Sequence, residues 1–134
     1  MSDSFLKLIE IVQRQTELVD KGWAYYSTVT LAVLGIVIGA DRIRATKALR
    51  FIVLGGYVVF AVGNLLAILQ AQTGAIRYAA LLNRQITIEK LDGIIPFLNP
   101  FPLWEIALFH LSIGLAVTLV IAYSNQIRIS HSKH

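Results

Sequence analysis

Three stretches almost free of charge decide most of what this chain can become. Residues 22–40 read GWAYYSTVTLAVLGIVIGA, residues 51–76 carry no charged side chain, and residues 103–123 carry only Glu105. A helix rises about 1.5 Å per residue, so about 20 apolar residues cross the roughly 30 Å of bilayer hydrocarbon. Each stretch is apolar around its whole circumference, which marks a lipid-facing helix rather than one face of a soluble bundle. The reading is an all-α integral membrane protein with three transmembrane helices near 22–40, 51–72 and 103–123. A chain of 134 residues that is 56% hydrophobic and 15% charged fits a bilayer better than water.

The first 21 residues are built differently. Lys7, Glu10, Arg14, Glu17 and Lys21 follow helical spacing with alternating sign, while Phe5, Leu8, Ile9, Val12 and Val19 lie on the other side. That pattern predicts a fourth, amphipathic helix over residues 1–21, ahead of a transmembrane domain over 22–134. Its apolar face would rest at the membrane interface or dock on a partner. The charges at Asp3, Lys7, Glu10, Arg14, Glu17 and Asp20 leave no apolar core for a cleavable signal, so the first span is expected to direct insertion.

The connections differ in length. DRIRATKALR holds Arg42, Arg44, Lys47 and Arg50 in one tight loop, which favours a cytoplasmic location for residues 41–50 and hence for the C-terminus. The second connection is long, partly helical and interfacial. TGAIRYAALLNRQ extends the second helix, ITIEKLDG turns at Gly93, and IIPFLNPFP is irregular because of its prolines. Trp23, Tyr25, Tyr26, Phe97, Phe101 and Trp104 would form an aromatic belt at the opposite surface.

Counting outward from the middle of the second and third spans matches polar and small residues by depth. Gly56, Gly63 and Gln70 fall opposite Leu119, Ser112 and Glu105, each series spaced by seven residues. Seven residues return nearly to one helix face, so the two stripes predict a packing seam with its polar members at one end. Gly35 and Gly39 form a GxxxG on the first span and predict another close approach there, at the depth of Gly55. Glu105 also suits a helix start, with Asn99 as cap and the dipole favouring a carboxylate.

Asn64 and His110 lie off that seam, at similar depth. An imidazole roughly 10 Å inside the hydrocarbon is too short to reach the surface, so His110 should face protein. Ser27, Thr28 or Thr30 of the first span, or a neighbouring subunit, are its expected partners.

No chemistry is written into these residues. There is no cysteine, which removes disulfides, thiolate metal sites and cysteine nucleophiles. Glu105 and His110 stand about 140° apart on a helix and do not share a face. His131 and His134 sit in a chain end, where a histidine pair can take up stray metal but is ordinarily just solvated. The expectation is a protein that is not an enzyme and has no cofactor. Its expected partners are the lipid bilayer and further copies or other membrane subunits, with nothing pointing to nucleic acid. Its first functional reading is an oligomeric or accessory subunit of a membrane complex. The second is a homo-oligomeric pore, holin-like in its layout, with Asn64 and His110 as lining candidates. The third is a subunit that binds a hydrophobic ligand such as a quinone or lipid.

Overall fold

The computed structural model describes residues 3–40, 43, 46–91, 93 and 95–124. Among these there are three long helices and no strand: α1 (Asp3–Gly39), α2 (Lys47–Ile88) and α3 (Leu103–Tyr123). All three are long and apolar enough to cross a membrane. Asp41, Arg42, Arg44 and Ala45 of the basic loop lie outside the described residues, as does the tail with Ser132, His131 and His134.

The amphipathic stretch is not a separate fourth helix. It runs without a break into the first span as α1, because residues 20–23 (DKGW) hold one glycine and no proline to stop helical hydrogen bonding. At 37 and 42 residues, α1 and α2 are about 55 and 63 Å long. Both exceed a bilayer's thickness, and the excess is the charged part.

The segments pack in two units, Met1–Trp23 with Leu66–Ala107, and Ala24–Leu65 with Leu108–His134. In the first unit, α1 and α2 lie antiparallel. Phe5 clusters with Leu82 and Ile86, Gln15 lies against Gly74, and Gly22 lies against Ile68. The buried residues of α2 here are Ile68, Gln72, Ala75, Ala79, Leu82 and Ile86. Their steps alternate between four and three, the heptad rhythm of helices that pack side by side. Phe5, Val12 and Val19 supply the facing positions on α1, seven apart. The apolar face of the N-terminal stretch is thus covered by its own chain rather than left for the interface.

The same unit fixes the second connection. Helix α2 stops at Ile88 and the chain reverses at Lys90, whose φ of 55° is left-handed. Leu91 N–H donates to Ile86 C=O at 3.0 Å, and Leu91 packs on the cluster containing Ile86. This is the Schellman arrangement, which ends the helix at Lys90; a second turn, closed by Ile95 N–H donating to Leu91 C=O at 2.8 Å, contains Gly93 as expected. The proline-rich segment is then held to α2 by side chains. Asn83 Nδ2 donates to Leu98 C=O at 2.8 Å while Leu98 N–H donates to Asn83 Oδ1 at 2.9 Å. Gln72 Nε2 donates to Phe101 C=O at 2.7 Å. Helix α3 begins at Leu103 with Pro102 C=O accepting from Glu105 and Ile106. Asn99 therefore lies before the cap position, while Glu105 does occupy the first turn.

In the second unit, Val37, Tyr57, Val117 and Ile121 form the apolar core. Contacts between Ala61 and His110 and between Arg50 and Ala122 show that α2 and α3 run antiparallel here.

Candidate functional site

The sequence places few polar groups in the apolar stretches, and the second unit gathers the largest of them. Tyr26, Thr30, Tyr57 and His110 are all buried, from α1, α2 and α3. They lie at positions that continue the heptad rhythm, Tyr26 seven beyond Val19 and His110 four beyond Ile106. A helix face that packs against neighbours is where such groups find partners.

His110 is 1% exposed. Its Nε2 lies 3.0 Å from Ala61 C=O, and since a carbonyl only accepts, Nε2 carries the proton. Its ring stacks on Tyr26 with centroids 3.8 Å apart at an interplanar angle of 25°. Tyr26 also stacks on Phe60 at 6.2 Å.

The hydroxyls form a chain of one direction. Tyr26 OH donates to His110 C=O at 3.3 Å. A phenol has one proton, so the 3.2 Å contact between Tyr26 and Tyr57 must run from Tyr57 to Tyr26. By the same reasoning Thr30 donates to Tyr57 at 3.3 Å. The order is Thr30 to Tyr57 to Tyr26 to the main chain of α3. Gly114 lies beside it, and a Cβ at 114 would meet the Tyr26 hydroxyl at 3.4 Å, an ordinary contact.

Other hydroxyls satisfy themselves within their own helix. Thr28 donates to Ala24 C=O at 2.8 Å and Ser112 to Leu108 C=O at 2.8 Å. Bonding to the carbonyl four residues back lets a hydroxyl sit in an apolar stretch without a partner helix. Thr28 therefore does not serve His110.

His110 contacts protein, as expected from its depth, but through Tyr26 and through the main chain of α2, the helix it was expected to turn from. Tyr26 leaves the aromatic belt for the core, while Tyr25, Phe97, Phe101 and Trp104 are exposed. Asn64 is half-buried.

The predicted glycine seam is not made within the chain. Gly35, Gly39, Gly55, Gly56 and Gly63 would each carry a Cβ into open space, with nothing within 4 Å. Gln70, Ser112 and Leu119 are exposed and Glu105 is half-buried. The inward-facing residues stand one position from the expected stripe. Ile106, Ile113 and Tyr57 face inward where Glu105, Ser112 and Gly56 were expected, and one residue turns a helix by about 100°. Matching depth fixes height along a helix and leaves rotation free.

The glycines that do meet neighbours lie elsewhere. A Cβ on Gly22 would stand 2.7 Å from Ile68 Cγ1, and one on Gly74 would stand 2.7 Å from Gln15 Oε1. Neither belongs to a GxxxG. The available signal was their place in a heptad register: Gly22 is three beyond Val19, and Gly74 precedes Ala75.

No family model, curated protein or solved structure matches this chain.

Two grooves open on the second unit. One, of about 200 Å³, runs between α2 and α3 and has Tyr57, His110 and Gly114 in its wall among aliphatic side chains. The other, of about 370 Å³, lies where α2 begins and α3 ends. Among the described residues no cluster of histidine and carboxylate side chains has the composition to hold a metal ion.

Proposed function

We propose that this chain is a membrane protein that crosses the bilayer three times and acts as a non-catalytic subunit of an oligomeric or multi-protein membrane assembly. The observation that supports the reading is the outward direction of its small residues. Gly35 and Gly39 on α1, and Gly56 and Gly63 on α2, are exposed, with open space where a side chain would be. In lipid, helices associate by close packing at small residues, because apolar burial gives no drive there. A face that its own chain leaves open is one that a second helix can approach. The hydroxyls of the polar cluster and His110 Nε2 are bonded within the chain, so the assembly reading rests on the glycine faces.

The test is assembly state. The chain purified in mild detergent is expected to have a mass above that of one protomer, or to bring other subunits with it. Gly56→Leu with Gly63→Leu should leave the helical content unchanged and reduce that mass. A monomer in mild detergent and in lipid, unaltered by the substitutions, would end this reading. The density of Arg and Lys in residues 41–50 supports a cytoplasmic basic loop and, with three spans, a cytoplasmic C-terminus. Cysteines introduced at Ala45 and Ser132 in this cysteine-free chain should resist impermeant thiol reagents in intact cells.

A second reading draws on the groove of about 200 Å³ beside His110 and Tyr57. A narrow apolar cleft with polar groups in its wall suits part of a quinone or lipid. Solvent extraction of the purified protein followed by mass analysis would show a stoichiometric quinone if it holds. The pore alternative draws no support from His110, which is 1% exposed.

A further inference from the structure

We propose that the groove where α2 begins and α3 ends binds the phosphate of an anionic phospholipid, with Arg50 and Lys47 as its ligands. The groove, of about 370 Å³, is lined by Lys47, Arg50, Phe51, Leu54, Ile121, Ala122 and Tyr123. Its lining joins two cations to apolar side chains, the two kinds of surface that a phospholipid has. Its level fits as well. Phe51 opens the charge-free run of α2 and Tyr123 closes that of α3, so the cations meet the apolar stretch where headgroups would lie.

The charge around it is unbalanced. The segments 24–65 and 108–134 hold Arg42, Arg44, Lys47, Arg50, Arg128 and Lys133 against Asp41 alone. Among the described residues of this unit there is no carboxylate at all. Both cations also stand in the first turn of α2, the end whose dipole repels them and attracts an anion.

The guanidinium is already oriented. Arg50 Nη1 donates to Ala122 C=O at 3.4 Å. That contact uses the nitrogen on the Cδ side and leaves the other edge, Nε with Nη2. Nε is buried and has no hydrogen-bond partner among the described residues. An Nε–Nη2 edge presents two parallel N–H donors, the fork that binds phosphate side-on. Phe51, Leu54 and Ile121 then take the first methylenes of the acyl chains. This inference does not depend on the assembly reading.

The full chain, purified in detergent, is exchanged with equal amounts of phosphatidylglycerol and phosphatidylcholine, and the retained lipid is measured by native mass spectrometry. Each basic side chain near a headgroup is worth a factor of about five in affinity. Wild type is therefore expected to favour phosphatidylglycerol by roughly tenfold or more. Lys47→Gln with Arg50→Gln should bring the ratio close to one, while Arg77→Gln with Arg84→Gln should leave it unchanged. Should the first pair fail to fold, Leu54→Trp, which fills the apolar end, should lower retention with the charges intact. Millimolar inorganic phosphate should not displace the lipid. Equal retention of both lipids by wild type overturns the proposal. So does unchanged selectivity in the folded Lys47→Gln, Arg50→Gln protein. Displacement by free phosphate would also overturn it, since the site would then read phosphate without its chains.

Discussion

Replacing His110 and Tyr26 by leucine, singly and together, isolates the contact that organises the buried polar cluster. The two rings stack at 3.8 Å, and an aromatic pair is worth roughly 0.5–1.5 kcal/mol beyond area burial. The bond from His110 Nε2 to Ala61 C=O, at 3.0 Å, is a separate contribution. Interhelical hydrogen bonds in membranes average about 0.6 kcal/mol, because the unfolded reference also finds partners. Ala61 lies inside α2 and its carbonyl keeps its helical partner, so removing the imidazole strands no acceptor. His110→Leu is then expected to cost roughly 1–2 kcal/mol, with leucine keeping much of the packing. The double cycle carries the sharper claim. Tyr26 OH bonds to the main-chain oxygen of residue 110, which survives any substitution there. Coupling between His110→Leu and Tyr26→Leu should thus report the stack alone, roughly 0.5–1.5 kcal/mol. Coupling between His110→Leu and Tyr26→Phe should be close to zero, since phenylalanine keeps the ring. Equilibrium unfolding in mixed micelles, followed by helical circular dichroism, measures each corner. Coupling in the leucine cycle below about 0.3 kcal/mol, the usual limit of additivity, would refute the stack. Coupling of equal size in the phenylalanine cycle would refute the assignment of the hydroxyl to the main chain.

Four further outcomes are expected, all readable in the same unfolding measurements and the last also in hydrogen exchange. Gly22→Ala should destabilise, because its methyl meets buried Ile68 at 2.7 Å and overpacking costs roughly 1–3 kcal/mol. Gly74→Ala should instead be neutral or stabilise by up to about 1 kcal/mol, since Gln15 Oε1 is the end of a flexible side chain and can swing away. Lys90→Gly should stabilise by about 1 kcal/mol by relieving a left-handed φ of 55°, and a loss of stability would show that the lysine side chain matters there. Asn83→Ala should cost about 1–2 kcal/mol and speed amide hydrogen exchange at Leu98, whose N–H donates to Asn83 Oδ1; unchanged exchange would mean the proline-rich segment is held by other contacts.

The partition between what could and could not be read in advance follows particular residues. The charge-free runs announced three long helices, because a missing charge over twenty residues is a property of the chain itself. The buried positions Phe5, Val12 and Val19 were legible too, since the N-terminal stretch is amphipathic and only one face is apolar. Within the spans that signal vanishes. All sides are apolar, so periodicity no longer points inward, and stripes one residue apart look equally good. Glycine was a poor guide for the same reason, as an exposed glycine and a packed one read alike.

Length, charge and hydrophobic run length determined by themselves that the chain is helical and able to cross a bilayer, because these depend on each segment alone. Rotation about each helix axis belongs to the tertiary structure. Bulky Tyr26, Tyr57 and His110 occupy the interior while the glycines face outward, and one hydrogen-bond chain runs across α1, α2 and α3. Which face is inside depends on the shapes of side chains from all three helices fitting at once, and no single segment carries that information.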